Sequence, residues 1–228
     1  MAIILEKGGQ AESIKFAKVQ IGLGWDPIIS NVEETFDLDV SAFMLDINKK
    51  IPSDDYLVFY NSDLRVDPSN LLIIEPQNST KYPPFNEGNK LIDSKEHHRR
   101  KTRPVDPEFS VYGSIDDMEG EESDGGDDET MNIDLRKLNS SIIEIVIGVS
   151  IHDFAKWNQN FGKVNDAYVS IYNETTNEEM FRYDLQGDFA TNTAVEFCSI
   201  YKEGGFWKIK ALGFGHDNGL QSLVDIYT

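Results

Sequence analysis

Short β-type segments, separated by clusters of glycine, asparagine and aspartate, dominate this chain and limit the folds open to it. Residues 142–151 are nearly all apolar and β-branched, which predicts a central strand buried on both faces. Two further pairs of segments flank turns at 173–179 and 203–205, which predicts two hairpins. Helical periodicity is weak, apart from a short helix predicted at 219–226. The pattern predicts an all-β protein, an antiparallel β-sandwich with long acidic loops and few short helices.

The overall composition predicts one globular domain. The 228 residues suffice for one ample core, and we expect a single sandwich domain over 1–228 with an insertion or extended loop at about 75–108. The formal net charge of −19 at pH 7 argues against nucleic acid and anionic membrane surfaces as partners. The one cysteine, Cys198, excludes an internal disulfide. No stretch approaches the roughly 18–20 apolar residues of a membrane span, so we expect no integral membrane insertion and a cytoplasmic location.

An acidic run at 116–129 is the strongest chemical signal in the sequence. Nine of its fourteen residues are acidic and three are glycine, and no lysine or arginine lies between Arg103 and Arg136. Carboxylates crowded in this way repel one another, and a bound multivalent cation relieves that repulsion. Carboxylate oxygens are the ligands that calcium prefers, so we predict a calcium-binding loop. The alternative is a solvated, disordered acidic segment; the spacing does not fit an EF-hand.

Other oxygen-rich residues follow predicted strands. Asp26 follows a segment with two glycines, Asp37 and Asp39 lie on the same face of a predicted strand, and Asn61 follows the apolar segment 56–60. Calcium takes six to eight oxygen ligands, so we expect two or three loops to converge on it. Taken singly, these residues also fit a turn-capping aspartate and an exposed polar strand face.

The stretch 75–108 interrupts the strand pattern with five prolines and few apolar residues. It contains the basic patch 95–103, which holds five lysines and arginines. Prolines and charge favour an exposed loop, so a solvated patch is the expected structure, with a nuclear-localisation-like or nucleic-acid-binding cluster as the alternative. If the patch folds back onto the acidic run, it would weaken calcium binding there.

Other chemistries find less support. The four histidines are scattered except for His97 and His98, and one cysteine cannot build a typical structural zinc site. No G-x-S-x-G motif marks a nucleophile, and the glycines at 213–219 lack the lysine of a phosphate-binding loop.

Four motifs occur in order: GLGWD at 22–26, FDLD at 36–39, VFYN at 58–61 and GDDE at 126–129. With them the chain resembles the TerD family of tellurium-resistance and stress-response proteins. The resemblance implies a cytoplasmic β-sandwich that binds calcium through loop carboxylates. Carried over by position, the metal ligands it implies are Asp26, Asp37, Asp39, Asn61, Asp127, Asp128 and Glu129, with Asp116, Asp117 and Asp124 as weaker matches.

The sequence departs from the family pattern in two places. The connection from 63 to 111 is longer than usual, and the first half of the acidic loop is more acidic and hard to align. The altered loop implies one calcium ion where relatives bind two, so we expect one or two ions.

The sequence is compatible with three functions. The leading hypothesis is a non-catalytic calcium-binding stress-response protein, not an enzyme, that acts through calcium-dependent protein partners, other stress-response or Ter-type proteins. The alternative is a Mg²⁺- or Mn²⁺-dependent hydrolase that uses the same carboxylates, although nothing basic lies close to them in sequence. The third is a scaffold that does not respond to calcium.

Overall fold

Two six-stranded sheets pack face to face in the computed structural model, which describes residues 3–4, 12–26, 36–74, 81–115, 127–185 and 187–228. In spatial order the first sheet consists of β1 (Ile3–Ile4), β15 (Glu178–Asp184), β14 (Asn165–Asn173), β3 (Lys18–Asp26), β12 (Glu129–Asp134) and β11 (Val111–Gly113). The second consists of β2 (Glu12–Ser13), β17 (Phe206–His216), β16 (Ala194–Glu203), β13 (Glu144–Ile151), β4 (Leu38–Leu45) and β5 (Leu57–Val58). All neighbouring strands are antiparallel except the β1–β15 pair, so the predicted sandwich is confirmed.

Alternation along the strands builds the core between the sheets. On β3 the odd-numbered apolar residues from Val19 to Trp25 are buried there, and on β4 Leu38, Val40, Ala42 and Met44 face them. The outer face of each sheet is the face turned away from this core. On the outer face of the second sheet, Phe43 and Leu45 of β4 pack with Leu223 of helix α3 (Gly219–Tyr227).

Several predicted elements are confirmed. All eight residues of β13 are buried, as expected for a central strand. The two predicted hairpins are β14–β15 and β16–β17, and the helix predicted near the end of the chain is α3. The predicted strand at 56–60 is shorter than expected, because only Leu57 and Val58 pair with β4 and Asp54–Tyr56 form a 3-10 helix.

Smaller elements lie outside the two sheets. They are a three-stranded sheet with order β10 (Arg103–Pro104), β6 (Arg65–Asp67), β7 (Asn70–Ile74), the hairpin β8 (Phe85–Glu87)–β9 (Lys90–Ile92), helices α1 (Ser94–Arg99) and α2 (Phe154–Trp157), and the 3-10 helix Phe161–Lys163. The side chain of Asp93 begins α1 by accepting the backbone N–H of Glu96 at 2.8 Å. None of the helices in the described ranges is long and apolar enough to cross a membrane.

The expectation of a solvated patch at 95–103 is wrong for part of that segment. His98 and Thr102 are fully buried, and so is Arg65 of β6, which packs against them. The guanidinium of Arg65 donates to the Thr102 hydroxyl at 2.8 Å and to the Thr102 carbonyl at 2.9 Å. The reason lies outside the patch: a distant buried arginine needs carbonyl acceptors, and the turn after α1 supplies them.

Candidate metal centre

Strand register collects the predicted ligands at one end of the sandwich. In the first sheet Leu23, near the end of β3, pairs with Glu129 at the beginning of β12. In the second sheet Leu38, at the beginning of β4, pairs with Ile151 at the end of β13. Six predicted ligands therefore lie at this end, which we call the acidic end: Asp26, Asp37, Asp39, Asp127, Asp128 and Glu129.

Glu129 joins the two sheets at the acidic end. Its carboxylate is buried and accepts the backbone N–H of Val40 at 2.8 Å. Strand β5 pairs with β4 only at Ala42 and Phe43, so it stops short of Val40, and the Glu129 carboxylate accepts this N–H instead. Glu129 thus has a structural role in addition to any role as a ligand.

Asp128 continues the ladder between β3 and β12. Its backbone N–H donates to the carbonyl of Leu23 at 2.8 Å, and its carboxylate accepts the backbone N–H of Trp25 at 2.8 Å. These two bonds fix the backbone where the acidic run enters β12. A carboxylate has about four acceptor positions, so one N–H leaves Asp128 able to bind a cation as well.

Asp127 lies on the outer face of the first sheet, against the backbone of Gly22. A Cβ at Gly22 would lie 2.2 Å from Asp127 Oδ2, so only glycine leaves room for this carboxylate. Tyr168 and Ser170 of β14 are hydrogen-bonded to it, Ser170 at 3.5 Å, and the Arg182 guanidinium stacks 3.8 Å from the centre of the Tyr168 ring. Burial raises the pKa of Asp127, and the Tyr168 bond and the Arg182 charge lower it only in part.

The same arrangement perturbs its neighbour. Burial, together with the charge of Asp127, raises the pKa of Tyr168 to about 12. Tyr168 is therefore a neutral hydrogen-bond donor at physiological pH. The cluster of Asp127, Tyr168, Ser170 and Arg182 shows that a basic group does lie close to the predicted ligands in space, although none does in sequence.

Asp39 lies on the outer face of the second sheet. It is 2% exposed, and its Oδ2 lies 3.8 Å from Nδ1 of His152. The His152 ring is edge-on to the ring of Tyr60, with centroids 4.9 Å apart, and the His152 backbone N–H donates to the carbonyl of Asp37 at 2.8 Å. Asn61 follows Tyr60 directly. A cleft of about 360 Å³ opens beside Asp39, Tyr60 and His152.

The structure therefore divides the predicted ligands between two places. We call Asp127 with Asp128 the β12 site, and Asp37, Asp39 and Asn61 the β4 site. Because Asp127 and Asp39 lie on opposite outer faces of the sandwich, they do not converge on one ion. Within the described ranges, no group of three or more His, Cys, Asp or Glu residues is placed to hold a metal ion. Asp116, Asp117, Asp124 and the side chain of Asp26 lie outside the described residues.

The donors fit calcium in kind. They are carboxylate and amide oxygens, the hard ligands that this ion takes, and Gly22 leaves the space that the Asp127 carboxylate fills. Sequence reasoning missed Tyr168, Arg182, His152 and Tyr60. The only signal for the first two was the alternation of polar and apolar residues in the 165–184 hairpin, which marks an outer face without indicating what lies on it.

Comparison with known proteins decides the family. The family model described as the TerD domain matches residues 1–82 and 103–227. The chain belongs to the TerD family. Residues 83–102, which form β8, β9 and α1, lie outside the match.

Relatives match over the whole length of the chain. General stress protein 16U of Bacillus subtilis (strain 168) is 32% identical, with all of this chain and 97% of that protein aligned. The tellurium resistance protein TerD of Serratia marcescens is also 32% identical over the same shares. An uncharacterised protein of B. subtilis, YceE, is 35% identical, with 98% of its length aligned.

Solved structures share the fold. A crystal structure of a protein of unknown function aligns with a TM-score of 0.64 and 18% identity, over 93% of this chain and 98% of that one. A homologue of telluride resistance protein (TerD) from Streptomyces coelicolor A3(2) aligns with a TM-score of 0.56 and 17% identity, over 93% and 96%. At these identities the likeness concerns the fold alone.

Proposed function

We propose that this TerD-family chain is a non-catalytic, calcium-binding stress-response protein of the cytoplasm. Its acidic end binds one or two calcium ions and, when loaded, contacts other stress-response or Ter-type proteins. One observation carries the proposal: strand register gathers six acidic residues at one end of the sandwich, and the 116–126 segment, which precedes Asp127 in the sequence, holds six more. The names of the relatives, a general stress protein and a tellurium resistance protein, support the stress-response part.

The β12 site is the stronger of the two places. Bound calcium would supply the positive charge that the crowded carboxylates lack. Gly22 leaves room for Asp127, and the bonds of Asp128 and Glu129 to Trp25 and Val40 hold the start of β12 in place. The 116–126 segment precedes this fixed start of β12 in the sequence, so we expect its carboxylates to contribute to calcium binding there.

The β4 site would hold a second ion on the other face. Asp39 is a buried carboxylate beside His152. Asp37 lies two residues before Asp39, and Asn61 follows Tyr60, whose ring contacts His152. The two sites are separate because they lie on opposite faces. Their occupancies are therefore expected to be independent, and loss of one leaves the other.

The interactions that Arg182, a basic group close to Asp127, already makes are consistent with a non-catalytic role. The Arg182 guanidinium is stacked on Tyr168 and bound to the Glu179 carboxylate at 2.8 Å. These interactions occupy the guanidinium, so it does not anchor a substrate as the Mg²⁺- or Mn²⁺-dependent hydrolase would require. Phosphoester hydrolysis by the wild type that disappears in Asp127→Ala would favour that alternative.

Thermal unfolding with and without calcium tests the proposal. Chelator-stripped protein should gain stability as calcium is added, by about 2.7 kcal/mol at a concentration 100 times the Kd. The double variant Asp127→Asn/Asp128→Asn should lose most of this gain.

The matched control is Asp54→Asn/Asp55→Asn, which removes the same two charges from exposed positions away from the acidic end. It should retain the gain. Equal thermal unfolding midpoints with calcium and with chelator in the wild type would contradict the proposal. If both double variants lose the calcium-dependent gain in stability equally, the gain depends on net charge and not on a site.

A further inference from the structure

The segment 83–102, outside the family match, is fixed to the acidic end by a buried arginine. Arg65 is fully buried and lies in β6, inside the match. It donates to the backbone carbonyl of Tyr60 at 2.7 Å and, on its other side, to the hydroxyl and carbonyl of Thr102. One guanidinium therefore ties the turn after α1 to the residue that precedes Asn61.

Arg99, the last residue of α1, lies against the β4 site through two aromatic rings. Its guanidinium carbon is 5.4 Å from the centre of the Tyr60 ring. The Tyr60 ring contacts the His152 ring, and His152 lies 3.8 Å from the Asp39 carboxylate. The segment that the family pattern lacks thus brings a permanent positive charge close to a candidate calcium ligand.

Two other cations of the segment form ion pairs of their own. Arg100 pairs with Glu87 at 2.9 Å and with Glu96 at 2.7 Å, and Lys90 pairs with Glu96 at 3.0 Å. Lys101, two residues after Arg99, is exposed. Arg99 lies over the ring of Tyr60.

We propose that the positive charge of Arg99 lowers the calcium affinity of the β4 site; this inference rests on the proposed calcium-binding function. A fixed positive charge repels a divalent ion, whereas the Arg65 clamp keeps the charge in place in both the free and the loaded state. At a separation on the order of 10 Å near the surface, one such charge weakens binding of a divalent cation by about 3- to 10-fold. The segment would thus adapt this chain to a higher calcium concentration.

Calorimetric calcium titrations of the full chain test this inference. Arg99→Gln should bind calcium at the β4 site about 3- to 10-fold more tightly than the wild type, and the difference should shrink at high salt. Lys101→Gln, which removes the same charge from an exposed position, should change the affinity less than twofold. Arg99→Lys keeps a charge beside Tyr60 and should bind like the wild type, which separates loss of charge from loss of packing.

A double-mutant cycle identifies the site. In an Asp39→Asn background the effect of Arg99→Gln should disappear, because the ion that Arg99 repels is no longer bound. Equal changes in Arg99→Gln and Lys101→Gln, or weaker binding by Arg99→Gln, would overturn the inference and leave the proposed function intact. Absence of calcium binding in every variant would overturn both, whereas binding by Arg99→Gln alone would support the inference and contradict calcium binding by the native chain.

Discussion

Gly22 shows how one residue without a side chain makes a site. The position faces the outer side of β3, where a Cβ would meet the Asp127 carboxylate at 2.2 Å. In Gly22→Ala the carboxylate has to move, which should reduce the free energy of unfolding by about 1–3 kcal/mol. It should also diminish the calcium-dependent gain in stability. Urea denaturation with and without calcium measures both effects.

Gly187→Ala is the control for that prediction. Within the described part of the chain, and apart from its sequence neighbours, no atom lies within 4 Å of a Cβ at Gly187, so this variant should stay within about 0.5 kcal/mol of the wild type and keep its calcium response. A Gly22→Ala protein that matches Gly187→Ala in both respects would show that the Asp127 carboxylate does not need this space.

For individual residues, the sequence predicted which kinds of side chain would serve as ligands better than it predicted where those side chains lie. The run of carboxylates was evident in the sequence, whereas the burial of Cys198, which raises the pKa of its thiol, is a property of the fold. Placing Asp39 and Asp127 on opposite faces required knowledge of the sheet to which each strand belongs. Local alternation assigns a side chain to a face of its own strand and cannot supply that knowledge.

Among the elements, the three-stranded sheet and α1 depend on Arg65. Replacing it by Met leaves the carbonyls of Tyr60 and Thr102 without their donor inside the protein. Arg65→Met should therefore reduce the free energy of unfolding by about 3–5 kcal/mol and expose the 99–103 turn to trypsin. Urea denaturation and limited proteolysis measure the two effects.

Arg136→Met is the matched control, because Arg136 is exposed and pairs only locally with Asp134. This variant should lose no more than about 1 kcal/mol. If Arg65→Met unfolds with the same free energy as Arg136→Met, the clamp does not stabilise the segment.

Elements specified by their own local sequence could be predicted, whereas elements stabilised by residues distant in the sequence could not. The hairpins β14–β15 and β16–β17 are encoded by strand patterns on either side of a turn, and both are present. The end of α1 and the buried Thr102 instead bond to Arg65, more than thirty residues earlier in the chain. Composition alone therefore suggested solvent exposure for a segment that is partly buried.

For the whole molecule, the sandwich distributes acidic residues from different strands over two separate places. Antiparallel pairing brings strand ends together, while the thickness of two sheets keeps the outer faces apart. The sequence predicted the sandwich, and it predicted two or three converging loops for one or two ions; the structure places Asp39 and Asp127 on opposite faces. We therefore propose a β12 site and a β4 site that bind calcium independently.

The most direct test of this account is a calorimetric calcium titration of chelator-stripped wild type beside Asp127→Asn/Asp128→Asn and Asp39→Asn. We predict saturable binding in the wild type, loss of the β12 site in the first variant, and unchanged β12-site binding in the second. An absence of saturable heat in the wild type would contradict calcium binding at the acidic end, and an unaltered isotherm in Asp127→Asn/Asp128→Asn would contradict binding at the β12 site.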